Sequence, residues 1–130
     1  MDREKGFSLI ELLIAMAILA FGLLAAASMQ YSAIRNNTRG NVSTQANMLA
    51  KGQIEFLKNL DINSPDLVPG TYSEATLIDE NEQPGGIYNR SWTIANLGSM
   101  ARHITVTVQW TRLGRTRSVV ISSNTRGNGV

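Results

Sequence analysis

The feature that most limits what this chain can become is an apolar run near its start, GFSLIELLIAMAILAFGLLAAASMQ, residues 6–30. Between Phe7 and Met29 every residue is apolar or small except Glu11, with Ser8 and Ser28 near the two ends. A hydrocarbon layer of about 30 Å is crossed by a helix of about 20 such residues, so the run predicts a segment that enters a membrane. Glu11 stands out within it. A carboxylate costs roughly 2.5 to 3.5 kcal/mol at the centre of a membrane helix, less near an end, and is by default a functional candidate in need of a partner.

A secretory signal peptide is the competing reading, with Ala25-Ala26-Ala27 as its cleavage site. Against it, the run is longer than the roughly 7 to 15 residues of a signal's apolar region, and a glutamate inside that region is out of character. No proline occurs before Pro65, and leucine, alanine, methionine, glutamine and lysine are frequent. One helix from about Phe7 to about Leu60 is therefore expected. At about 1.5 Å per residue it is roughly 80 Å long, more than a membrane needs, so its second half must continue outside. There Val42, Ala46, Leu49, Phe56 and Leu60 recur at helical spacings and draw an apolar stripe for a globular core to cover. Residues 36–41, Asn-Asn-Thr-Arg-Gly-Asn, are poor helix formers where a break or bend is expected. In the apolar half, Ala15, Gly22 and Ala26 share a face on which a second helix can approach closely in lipid; lipid-facing filler is the plainer role for them.

Beyond Leu60 the pattern changes. Asp61-Ile62-Asn63-Ser64-Pro65-Asp66, Pro69-Gly70 and Pro84-Gly85-Gly86 carry turn chemistry, with one strand expected around residues 72–78. A period of two follows. Tyr88, Trp92 and Ile94, then Ile104, Val106, Val108 and Trp110, then Val119 and Ile121 alternate with polar neighbours and predict three strands. Leu113-Gly114-Arg115 links the last two as a hairpin. An antiparallel sheet laid on the helix stripe, an α+β arrangement, is the natural solution. Its core candidates are Val42, Leu49, Phe56, Leu60, Trp92, Val106, Val108 and Trp110. The tail, residues 123–130, is expected to fray.

The chain of 130 residues has room for one domain and an anchor, and it contains no cysteine. Packing alone must hold the domain, with no disulfide and no thiolate site. The single histidine, His103, sits in a strand pattern, so neither a metal pair nor a nucleophile relay can be drawn around it. Asp79-Glu80-Asn81-Glu82-Gln83 lacks the glycine and the final glutamate of a calcium loop, having Pro84 and Arg90 in those places. No enzyme activity, metal or cofactor is expected. The net charge is only +2, but acids dominate from Glu55 to Glu82, whereas from Arg90 onward there are six arginines and no acid. Solvated faces account for most such charges, and opposite patches meeting in an assembly are the sharper reading. A nucleic-acid surface has no aromatic interleaving or binding motif to support it.

Gly6-Phe7-Ser8-Leu9-Ile10-Glu11 resembles the processing site of type IV pilins and type II secretion pseudopilins. Residues 18–24, Ile-Leu-Ala-Phe-Gly-Leu-Leu, with Met29-Gln30, are similar to minor pilins of the V type among the pilus modification proteins. The resemblance implies a pilin fold, a prepilin peptidase that cuts after Gly6, methylation of Phe7 as the new N-terminus, and Glu11 as one half of an assembly salt bridge. It implies residues 1–6 as leader, 7–34 as transmembrane and assembly helix, 35–60 as amphipathic helix and 61–130 as the exported sheet domain. The implied partners are the peptidase, the inner membrane and other major and minor pilins. The expected place is the bacterial inner membrane, crossed once with the C-terminal domain outside the cytoplasm, and then a pilus or pseudopilus. A structural minor pilin of a type IV pilus is the leading expectation, with a type II secretion minor pseudopilin next. A membrane-tethered adhesin or DNA-binding module is the alternative from another class.

Overall fold

The computed structural model describes residues 6–126, for Arg126 the backbone alone; residues 1–5 of the expected leader and residues 127–130 of the expected tail lie outside the described residues. Two compact units divide the chain, Met1–Gly40 and Asn41–Val130.

One α-helix, α1, runs Leu9–Lys58 and contributes to both units. It is shorter than the expected span by two residues at each end, and local hydrogen bonds explain both. At the start, Ser8 caps the helix. At the end, the Leu60 N–H turns back to the Leu57 carbonyl at 3.3 Å in the tighter 3₁₀ manner. Asp61 Oδ1 then accepts the Asn63 N–H at 2.8 Å and fixes the turn. The expected break at residues 36–41 is absent from the helix assignment. Thr38 Oγ1 donates to the Ile34 carbonyl at 2.9 Å, which keeps the hydroxyl partnered within the helix. The boundary between the units nevertheless falls inside this cluster, after Gly40.

Four strands, β1 (Gly70–Ser73), β2 (Tyr88–Asn96), β3 (Ala101–Arg112) and β4 (Arg115–Arg126), pair antiparallel in sequence order, with a 3₁₀ turn at Pro65–Leu67 ahead of them. The first strand is Gly70–Ser73 and not the expected 72–78, because the chain after it closes a tight loop. Asp79 Oδ1 accepts the N–H groups of Asn81 and Gln83, each at 2.8 Å, and a Cβ on Gly86 would stand 2.0 Å from the Ile78 carbonyl oxygen. Only glycine fits there. Ile78 is left with isolated bridges to Pro84 and Tyr88. Leu113 (φ 52°) and Gly114 (φ 71°) form the two-residue turn between β3 and β4, with both central residues left-handed as a type I′ hairpin requires. The tail departs from expectation too. Strand β4 continues to Arg126, and Thr125, 3% exposed, hydrogen-bonds through its Oγ1 to the Lys58 carbonyl at 3.4 Å.

In the second unit the helix packs on the sheet as an α+β layer pair. The helix buries Val42, Ala46, Leu49, Ala50, Ile54 and Leu57, and the sheet buries Ile94, Ile104, Val106, Val108 and Trp110 against them. Leu60 and Trp92 are only partly buried at the margin. Phe56, expected in the core, is 54% exposed. The reason is angular. With roughly 100° per residue, the buried arc is centred between Gln53 and Leu57, and Phe56 falls just outside it.

Polar groups at the edges of the core are matched, with one exception at Arg90. The Tyr88 hydroxyl donates to Gln45 Oε1 at 2.7 Å, with the Val42 carbonyl at 3.2 Å as a second acceptor. Burial, reinforced by Glu80, holds the Tyr88 phenol above its ordinary value of 10.0. Arg90, 5% exposed, reaches Glu74 Oε1 through Nε at 3.1 Å and Nη2 at 2.6 Å, and Glu82 Oε2 through Nη2 at 3.3 Å. Its Nη1 is buried without a hydrogen-bond partner, so part of its desolvation cost stays uncompensated.

The exposure pattern yields a paired expectation for a fragment beginning at Asn41. Truncating the fully buried Leu57 to alanine costs about 2 to 5 kcal/mol, whereas Phe56→Ala on the open side of the helix costs well under half as much. Urea unfolding of the two variants measures both, and an equal loss would contradict this placement of the helix.

Candidate processing and assembly site

The site is built at the head of α1. Gly6, Phe7 and Ser8 precede the helix in non-helical backbone. Ser8 Oγ accepts the Glu11 N–H at 3.2 Å, and the Ser8 N–H points back to Glu11 Oε2 at 3.4 Å. The Ser8 carbonyl accepts the Leu12 N–H at 3.2 Å. This is a capping box, in which two N–H groups that the first turn leaves without partners are satisfied reciprocally. The Glu11 carboxylate also sits where the positive end of the helix dipole favours an anion. Glu11, singled out as a charge in search of a partner, has a local one in Ser8. The pairing is neutral, so the negative charge itself remains available to an external cation.

Gly6 is open on all sides, with nothing within 4 Å of the position a Cβ would take. Phe7 is 88% exposed. The peptide bond between them therefore lies outside the helix, unobstructed by the described residues.

Along the apolar half no side chain finds cover within the first unit. Leu9, Ile10, Leu13, Ile18, Phe21 and Leu24 are each at least 55% exposed, an arrangement that water does not tolerate and lipid or other helices do. The helix is long and apolar enough to cross a membrane. Its one described interior hydroxyl of this stretch, Ser28 Oγ, donates to the Ala25 carbonyl at 2.8 Å, satisfying itself as a side chain in hydrocarbon must. Ala15, Gly22 and Ala26 all lie on the exposed surface, and a Cβ on Gly22 would meet nothing within 4 Å. The notch they form is open. No group of three or more metal-ligating side chains occurs among the described residues.

Two polar residues escaped the sequence reading, Ser8 at this site and Arg90 in the second unit. Ser8 was legible: a serine three residues before a glutamate, directly ahead of an apolar run, is the written form of a capping box. Buried Arg90 was not, since its glutamate partners lie 16 and 8 positions away, brought to it by the loop after β1.

The family model of the prokaryotic N-terminal methylation motif matches residues 1–27. No curated protein and no solved structure matches the chain. The motif marks a type IV pilin-like, prepilin-like N-terminus, and it implies processing by a prepilin peptidase and assembly with other pilins. The apolar helix beneath it fits a membrane-anchored protein.

Because the fold leaves free space around Gly6, a bulky residue there disturbs only an enzyme that must approach the backbone closely. Gly6→Leu is expected to leave the leader attached while the domain melts as before. Intact mass measurement decides, and a Gly6→Leu chain that begins at Phe7 would refute the role of Gly6.

Proposed function

We propose that this chain is a structural minor pilin, without enzymatic activity. It is cut after Gly6, methylated on Phe7, drawn from the inner membrane and built into a type IV pilus or its priming complex, with its sheet domain outside the cytoplasm. The observation that carries the reading is the capped motif itself: an exposed Gly6-Phe7 bond, a carboxylate fixed one turn later, and an uncovered apolar helix behind it. The finer likeness to V-type pilus modification proteins supports the minor role. A type II secretion minor pseudopilin begins in nearly the same way and is the second reading, since the matched motif covers only residues 1–27 and does not separate the two. Neighbouring genes for pilus or for secretion components separate the two. An adhesin or DNA-capture module on a plain tether draws support only from the arginines of the C-terminal strands.

In this reading the new amine of Phe7 and the Glu11 carboxylate both reach the interface while the subunit is alone. In a water-free filament core each needs an opposite charge, and the Phe7 amine of one subunit facing Glu11 of its neighbour supplies both and sets the axial register. A buried charge whose partner is removed costs about 3 to 5 kcal/mol, enough to reject a misaligned subunit. The capping box now separates this role from helix stability. Glutamine serves in a capping box as glutamate does, so Glu11→Gln keeps the helix start and deletes the charge. Glu11→Gln is expected to insert and to be cut at Gly6, yet to be missing from sheared filaments. Its normal incorporation would refute the charge-pairing role, and loss of cleavage would assign Glu11 to peptidase recognition instead.

A further inference from the structure

The two edges of the sheet are built differently. Strand β1 is four residues long and follows Pro69, which has no N–H to offer a neighbour. Strand β4 is twelve residues long and pairs one-to-one with β3 from Arg112↔Arg115 to Ala101↔Arg126, with no bulge. No strand among the described residues pairs with its other side. It contains no proline, and from Ser118 to Thr125 it carries no charge. Shortness, bulges, prolines and central charges are the means by which sheet edges are kept from pairing, and β4 lacks all four.

The hairpin fixes which groups this edge presents. A two-residue type I′ turn closes on a pair that exchanges both of its hydrogen bonds, here Arg112 and Arg115, and the pattern alternates from there. The N–H and C=O of Thr116, Ser118, Val120, Ser122 and Asn124 therefore point to the free edge. All five residues are exposed, Val120 at 59%. That row is a template for one more strand.

Charge selects the strand. Arginines stand at both ends of β4, Arg115 and Arg117 at one and Arg126 at the other, around an uncharged middle. A second copy pairing edge to edge sets arginine against arginine whether it runs parallel or, in full overlap, antiparallel, and like charges directly opposite are destabilising. The described acids of this chain lie on α1, in turns or beside the short β1, so a second copy offers no acidic strand of matching length. We propose that the free edge of β4 takes an extended segment of a different protein as a fifth strand, uncharged through its middle and acidic at both ends. Backbone hydrogen bonds give such an addition its affinity and the terminal charges its selectivity. This inference is independent of the minor-pilin reading.

The full chain in detergent micelles tests it by fluorescence anisotropy, with a labelled peptide of alternating threonine and valine ended by glutamate on both sides. At low salt this peptide binds saturably, and its lysine-ended counterpart binds at least about ten-fold more weakly. Val120→Pro removes one outward N–H without touching the β3 ladder and weakens binding by about ten-fold. The double variant Arg115→Glu, Arg117→Glu, which leaves Arg126 at the other end, abolishes the preference for the glutamate-ended peptide, and it decides the matter if Val120→Pro fails to fold by circular dichroism. Absence of saturable binding, equal binding of the two peptides, or indifference to both sets of substitutions would overturn the proposal. So would self-association of the chain that Val120→Pro abolishes, since the occupant would then be a second copy.

Discussion

The contact between the buried stripe of α1 and the inner face of the sheet is what residues 41–126 depend on. Neither side stands alone. A helix in a protein draws most of its stability from packing its amphipathic face, and a meander of strands with one apolar face needs a cover. With no cysteine in the chain, no covalent staple takes a share. Val106 and Val108 lie at the centre of this contact, fully enclosed. Polar bonds pin its two ends. The Tyr88 hydroxyl holds the helix at Gln45, and the Thr125 hydroxyl holds it at the Lys58 carbonyl, so the sheet grips the helix where the buried stripe begins and where α1 stops. Arg90 ties the loop after β1 to the sheet through Glu74 and Glu82, work that a disulfide does in many small secreted domains.

Much of this was legible in the residues, and what was not has a physical cause. The shift from a period near 3.6 to a period of two located the helix and the three long strands, because burial on one face writes itself into spacing. Phe56 misled because residues at spacings of seven and four stay near a stripe without lying inside it; Gln53, buried though polar, and Leu57 mark the true centre. Strand β1 was displaced because its position follows from the Asp79 and Gly86 loop, which is set by backbone contacts and not by hydrophobic alternation. Strand β4 outlasted its apolar residues since Ser122, Asn124 and Thr125 pair along β3 through the backbone, for which side-chain type is a weak signal. The head of the helix was the clearest passage in the sequence, yet Glu11 was read there as a lone charge when the serine three places before it already named a partner.

The N-terminal unit follows a different rule from the domain. Its apolar side chains are uncovered among the described residues, its Gly6-Phe7 bond lies outside the helix and its helix start is fixed by two reciprocal hydrogen bonds. An uncovered apolar helix is a defect in a water-soluble protein and, in the proposed function, a requirement in a subunit that passes through a membrane into an assembly. The proposed function gives the Glu11 charge a second side: beside Ser8 it caps the helix, and in a water-free assembly it would need an opposite charge.

The central claim, that residues 6–30 are a processed assembly segment and not a tether or a secretion signal, is tested most directly by the mass of the N-terminal peptide of the wild-type chain recovered from its native membranes. The account predicts a chain beginning at Phe7 with a methylated amine. A chain retaining Met1 would show a tether, and one beginning near Ser28 would show a cleaved secretion signal; either result would contradict it.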